Sequence, residues 1–287
     1  MSTRPAPNVA PPDEPDGWSR GRFIVLGMTY PHYSDKYAEN VCTGAIDMAT
    51  GRLVRIHPVP QRYLEPDARF HTFQEITARF RPHDVDPRPE SIRIDPVSIE
   101  TGRTVAPEER VERAKWLLSS PHLFASVEEL HDRWRAERVS LGIIQPKTIV
   151  GVRLERRPPS AAAEWASKAD RVHRQTRLPT MQPVKPIDFP DTRFMVSWEC
   201  NDSRCRGHEM GLEDWGMHEL WRKLKGDPDR ETKLVEAMKS RLDLAKGDVF
   251  LYLGNFLSVR WNFGLMGACF VRRKKSRQLD LFGGALG

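Results

Sequence analysis

Two cysteines and a histidine fall within nine residues: Cys200-Asn-Asp-Ser-Arg-Cys205-Arg-Gly-His208. Two thiolates and an imidazole are three of the four N or S ligands that zinc takes in a tetrahedral structural site. Cys200 and Cys205 bracket a polar turn, and Gly207 permits the tight bend that brings His208 back. The run itself offers no fourth ligand; His218, Cys42 and Cys269 are the candidates from elsewhere in the chain. A structural metal, zinc first, is one reading. Reduced cysteines in a turn, or a redox or iron–sulfur role, are the others. A metal would help this part of the chain to fold, because its binding free energy becomes folding free energy. Glu209, Glu213 and Asp214 follow directly. Paired carboxylates could hold a divalent cation for phosphodiester cleavage. Acids near a helix start also offset the positive end of its dipole, which is the plainer account. Asp84, Asp86, Arg88 and Glu90 alternate in a proline-rich loop, a spacing that suits a salt-bridged turn better than a cation site.

A second set of residues pairs cations with rings. Arg52, Arg55, His57, Arg62 and Tyr63 lie in the first half, and Arg204, Arg206, Arg260 and Trp261 in the second. Basic side chains beside aromatics suit a surface that meets phosphates while stacking unpaired bases. Arginines that merely solvate edge strands would look the same. The formal charge of +6 and a pI of about 9.2 favour an acidic partner, nucleic acid first. The phosphate-cradling Gly-x-x-x-x-Gly-Lys-Ser/Thr run is missing, which argues against an ATP-driven motor.

The chain end carries the sharpest signal. Arg272, Arg273, Lys274, Lys275 and Arg277 precede Gln278-Leu279-Asp280-Leu281-Phe282, and Gly283 and Gly284 follow. A polar residue and then Leu-x-Leu-Phe, on a basic leash, suits a tethered peptide that plugs an apolar groove. Gln278–Phe282 resembles the pentapeptide with which bacterial polymerases and repair proteins dock onto the DNA sliding clamp. That resemblance implies that Gln278 hydrogen-bonds at the groove edge while the Leu and Phe side chains fill its pockets. It covers only the tail. It implies a bacterial DNA-binding protein that the clamp brings to DNA in repair, replication or mobile-element biology. The alternatives are a clamp-tethered repair enzyme, using a divalent cation or processing a base, and a clamp regulator that does not touch DNA.

The elements that must position these residues are legible in outline. Residues 1–21 hold five prolines and almost no large apolar side chain, so the spacing predicts a disordered tail. A β-rich domain is expected over 22–157, with a buried strand at 22–28, a hairpin around Ala49-Thr50-Gly51 and strands at 73–80 and 91–95. Two helices follow Pro107 and the capping box Ser126-Val-Glu-Glu129, before strands at 141–144 and 148–154. Residues 158–191 read as a proline-rich connector that begins with an alanine-rich helix. An α+β domain with the Cys/His cluster is expected over 192–271, with helices at 211–225 and 229–246 and strands at 249–253 and 259–271. The basic tail is 272–287. The fold class is therefore α+β: a small barrel or open sheet with inserted helices, plus a smaller α+β domain. Four cysteines do not make a disulfide framework at this length, and no apolar run is long enough to span a membrane. A reducing cytoplasm is the expected setting.

Overall fold

The computed structural model describes residues 17–34, 38–174 and 185–273. Most of the expected disordered tail, Tyr37, part of the connector and all of the clamp-like motif lie outside the described residues. The first half contains strands β1 (Ser19–Met28), β2 (His32–Ser34), β3 (Ala38–Asn40), β4 (Thr43–Asp47), β5 (Leu53–Ile56), β6 (Gln74–Pro82), β7 (Ser91–Ile94) and β8 (Glu100–Thr104), then helix α1 (Arg110–Leu118). After it come β9 (Leu123–Phe124), α2 (Val127–Glu137), β10 (Leu141–Ile144), β11 (Thr148–Arg156) and α3 (Pro159–Arg174). The chain continues with β12 (Thr192–Glu199), β13 (His208–Leu212), α4 (Trp215–Lys223), α5 (Arg230–Arg241), β14 (Gly247–Asn255) and β15 (Phe263–Arg272). No helix among the described residues is long and apolar enough to cross a membrane.

Five strands close into a barrel. They run in the order β1-β4-β5-β7-β6, and β6 pairs back onto β1; β8 is appended to β6. The pair β5–β7 is parallel and the other barrel pairs are antiparallel. This is the closed, five-stranded Greek-key arrangement of OB-type barrels. Side-chain alternation explains why it closes. Phe23 and Val25 of β1 point into the barrel with Ala45, Val54, Ile56 and Ile76. Ile24 and Leu26 point the other way. A strand buried on both faces reads as an uninterrupted apolar run, which is how residues 22–28 read.

The outward face of β1, β4 and β5 does not meet water. A seven-stranded sheet, ordered β11-β12-β13-β15-β14-β10-β9, packs against it. Ile24, Leu26, Ile46 and Leu53 of the barrel share one core with Leu141, Ile143, Phe250 and Tyr252 of that sheet. Contact is so close at Gly44 that a Cβ there would lie 2.3 Å from the Tyr252 ring. The sheet's other face buries Val249, Leu251 and Leu253 under α2, α4 and α5, through Leu130, Trp221 and Met238. The molecule thus has three layers: barrel, sheet and helices.

Four strands differ from their expected setting. The strands at 141–144 and 148–156 belong to the second sheet, as β10 pairs β14 and β11 pairs β12. The expected boundary at 157 therefore falls inside that sheet, and the break between the two sheets lies between α1 and β9. Strand β1 also starts at Ser19 and not Arg22. The short β13 occupies the start of an expected helix because it pairs with both β12 and β15. Residues 259–262, expected to open the last strand, lie instead in the tip of the β14–β15 hairpin, a tip that spans 256–262. There Asn255 Nδ2 donates to the Arg260 carbonyl at 2.7 Å and closes the loop.

Candidate metal centre and nucleic-acid surfaces

The Cys200–His208 run is the turn between β12 and β13, where Trp198 stands opposite His208. Gly207 adopts φ of +86°, a left-handed conformation that glycine takes without strain. Asp202 organises the turn: its Oδ1 accepts the Arg204 amide at 2.9 Å and its carbonyl accepts the Cys205 amide at 3.1 Å. The Cys205 sulfur accepts the amides of Cys200 at 3.2 Å and Gly207 at 3.4 Å. These bonds turn both cysteines toward His208, whose Nε2 lies 3.4 Å from Cys205 Sγ.

The fourth donor comes from an unexpected place. Helix α2 begins at the capping box, where Ser126 Oγ accepts the Glu129 amide at 3.0 Å. The same hydroxyl donates to Asp202 Oδ2 at 2.7 Å, which ties the helix start to the turn. Glu128, in that first helical turn, then brings Oε1 to within 3.4 Å of His208 Nε2. The donor atoms of Glu128, Cys200, Cys205 and His208 all lie within 4.8 Å of one another, so the group could hold a metal ion. A tetrahedron with zinc-like bonds of about 2.0–2.3 Å has edges of roughly 3.3–3.8 Å, so modest contraction would close it. One feature fits such an occupant: Glu128 Oε2 is buried without a hydrogen-bond partner among the described residues. Burial, with the neighbouring Cys205 sulfur, pushes the Cys200 thiol up to about 11, which favours the protonated form; a coordinated cation would have to reverse that.

The other ligand candidates sit elsewhere. His218 is in α4, stacked on Tyr30 at 4.8 Å. Cys269 lies in the core between the barrel and the sheet, and Cys42 lies beside Arg55. The three acidic candidates do not converge on one point. Glu209 accepts from Arg153 at 3.0 and 2.9 Å and from Ser197 at 3.1 Å. Glu213 faces Arg157 at 3.9 Å. Asp214 caps α4 through the Met217 amide at 2.9 Å and pairs with Arg241 at 2.8 Å. Each carboxylate has its own cation or cap, and Asp214, at the N-cap of α4, is the one that stands where the dipole account places it.

The nucleic-acid candidates separate into buried and open groups. Arg55 is 3% exposed. Its guanidinium donates to Ser91 Oγ at 3.1 Å, Ser140 Oγ at 3.0 Å and the Ser140 carbonyl at 3.2 Å. Ser140 in turn donates from its amide and hydroxyl to Glu90, at 2.9 and 2.5 Å. Burial pushes the Glu90 carboxyl up and the Arg55 guanidinium down, and the charge of each partly opposes the other's shift. Arg55 is therefore an internal link between barrel and sheet, because β5 is covered on both faces. His57 is half-buried against His83, with burial lowering its pKa to about 4. Asp86 and Arg88 form the expected salt-bridged turn, and Arg88 reaches across to the Asn255 carbonyl at 2.6 Å. Arg62 is held by Glu39 at 2.7 Å and by the carbonyls of Lys185 and Pro186. Tyr63 accepts the Lys185 amide through its hydroxyl at 2.9 Å. Arg204 bridges Asp202 and Asp132 beside the Cys/His cluster, and Arg206 is exposed. Arg52 is exposed at the end of the β4–β5 turn. Arg260 and Trp261 stand at the β14–β15 tip, where Trp261 is 64% exposed beside open Phe256 and Leu257.

Comparison with known proteins gives families but no activity. Residues 19–119 match the family described as Domain of unknown function (DUF8758), and residues 123–283 match Domain of unknown function (DUF8757). The junction of the two falls between α1 and β9, where the two sheets part. No curated protein matches the chain. Among solved structures it is similar to a replication protein A heterotrimer bound to single-stranded DNA, at 10% identity and a TM-score of 0.22. That alignment covers 92% of this chain and 67% of that one, and a likeness so slight carries no argument. The second family match spans more than half of the chain, which accordingly belongs to the DUF8757 family.

Proposed function

We propose that this chain is a DNA-binding protein brought to DNA by the bacterial sliding clamp, with zinc at the Glu128–His208 centre as a structural ion. The observation that carries the reading is the Gln278–Phe282 pentapeptide behind its basic run, which lies inside the span matched by DUF8757. Two features support the DNA half. Trp261 and Arg260 leave a ring and a cation open at one hairpin tip, and the first domain is an OB-type barrel. The step from barrel to nucleic acid is analogy from fold to function. Glu128, Cys200, Cys205 and His208 would hold zinc, which would fasten the β12–β13 turn to the start of α2. The acidic candidates are engaged by arginines and caps, so no cleavage step is assigned to them.

The experiment is a pull-down of the full chain on purified bacterial clamp, paired with a salt-dependent DNA-binding titration. Leu281→Ala with Phe282→Ala abolishes capture by the clamp on this reading; undiminished capture overturns it. DNA affinity should fall steeply with salt, and a chain that binds clamp but no DNA is a clamp regulator instead. Metal analysis of purified protein should return about one equivalent of zinc, lost in Cys200→Ser with Cys205→Ser.

A further inference from the structure

If DNA is bound, the usual face of an OB-type barrel is not where it lies. Such barrels present their second and third strands to oligonucleotides. Those strands here are β4 and β5, and Ile46 and Leu53 on their outer face are fully buried beneath the second sheet. The strand must go elsewhere.

The seam beside that buried face opens into two hollows. One, of about 830 Å³, lies between the barrel, residues 185–188 and the start of α4. The other, of about 720 Å³, lies between α1, α5 and the end of β15. Thr72 and Arg241 line both, so the two hollows adjoin along one seam, here called the groove. Along it, arginines and lysines outnumber aspartates and glutamates nine to four. Some of these cations are neutralised, as Arg222 is by Glu219 at 2.8 Å and Arg241 is by Asp214. Arg69, Arg110 and Arg272 are not: none has a carboxylate partner among the described residues. Like charges gathered in a concave, partly apolar wall raise the local potential and attract a polyanion.

The groove also has a ring. Trp215, in the first turn of α4, is half-buried in the wall of the larger hollow, and its Nε1 donates to Glu219 at 3.2 Å. A pinned indole is a stacking platform that loses little freedom when a base lands on it. Arg272 lines the smaller hollow, and Lys274, Lys275 and Arg277 follow it in sequence.

We infer that the seam groove from Lys185 to Arg272 is the surface that binds a single DNA strand, with phosphates on Arg69, Arg110 and Arg272 and one unpaired base on Trp215. This rests on the DNA-binding reading above and names its surface. Phosphate contacts supply affinity without sequence preference. Stacking favours single strands over duplex, because only an unpaired base can turn its face to the indole.

The test is fluorescence anisotropy of the full-length chain with a labelled 20-nucleotide single strand and its duplex, across a salt series. Arg69→Ala, Arg110→Ala and Arg272→Ala together should weaken single-strand binding and reduce the salt slope by about 2, from three lost phosphate contacts at roughly 0.7 each. Trp215→Leu should weaken binding about 5- to 150-fold, while Trp215→Phe retains most of it. Unchanged circular dichroism and denaturation midpoint establish that each variant is folded. Binding that survives the triple variant but is lost in Arg260→Ala with Trp261→Ala overturns the groove and leaves the DNA reading standing. Binding of duplex only overturns the single-strand assignment, and no binding of either by the wild type overturns both readings.

Discussion

The seam between barrel and sheet treats its arginines in two opposite ways. Arg55 is enclosed and its guanidinium is shared among Ser91, Ser140 and, through Ser140, Glu90. Arg69, Arg110 and Arg272 line the open groove with no carboxylate partner among the described residues. A buried charge must be compensated within the protein, or desolvation would drive it out. A charge at an open groove can be left for a partner, since water stabilises it meanwhile. The difference teaches which arginines hold the two layers together and which are available for an anionic ligand.

The sharpest way to break this contrast is Arg55→Met. It strands Glu90 in the interior, and the expected loss is about 3–5 kcal/mol of unfolding free energy by chemical denaturation. Adding Glu90→Gln should recover part of that loss, because the uncompensated charge is then gone. Next is pH. His122, buried beside β5, accepts the Leu53 amide on Nδ1 at 2.8 Å, and burial lowers its pKa to about 4. The unfolded chain binds this proton near pH 6.5 and the folded one only near 4, so stability is complete above 6.5 and is lost as the pH falls between the two. The loss is about 3 kcal/mol for this group. His122→Asn keeps an acceptor for Leu53 and should remove that part of the pH slope; an unaltered slope would place it elsewhere. Gly44→Ala should cost about 1–3 kcal/mol by forcing Tyr252 out of its place. Smallest in stability is Arg272→Ala, within about 0.5 kcal/mol by the same denaturation. Its effect belongs to ligand binding, and a large destabilisation would make Arg272 a second Arg55.

The Glu128–Cys200–Cys205–His208 cluster shows where local spacing stops being informative. Cys200, Cys205 and His208 are legible together because one turn brings them together. Glu128 is not, since an acid in the first turn of a helix is ordinary, and only the Ser126–Asp202 bond reveals that this helix start abuts that turn. Arg55 misled for the complementary reason. Alternation along β5 puts Arg55 on the face opposite Val54 and Ile56, yet it cannot say that a second sheet covers that face. The short β13 was missed because five residues with one cysteine turn before them give no period to read.

Sequence alone determined the α+β class, the main strands and helices, the capping box and the three-residue heart of the cluster. These depend on side-chain periodicity and on turns of a few residues, both written locally in the chain. Tertiary structure decided that the barrel closes, that its outer face is covered, and that Glu128 joins the cysteines from 72 positions upstream of Cys200. It also decided which arginines remain open. Burial and charge compensation are set by whatever packs across the seam, and no stretch of local sequence contains its partner.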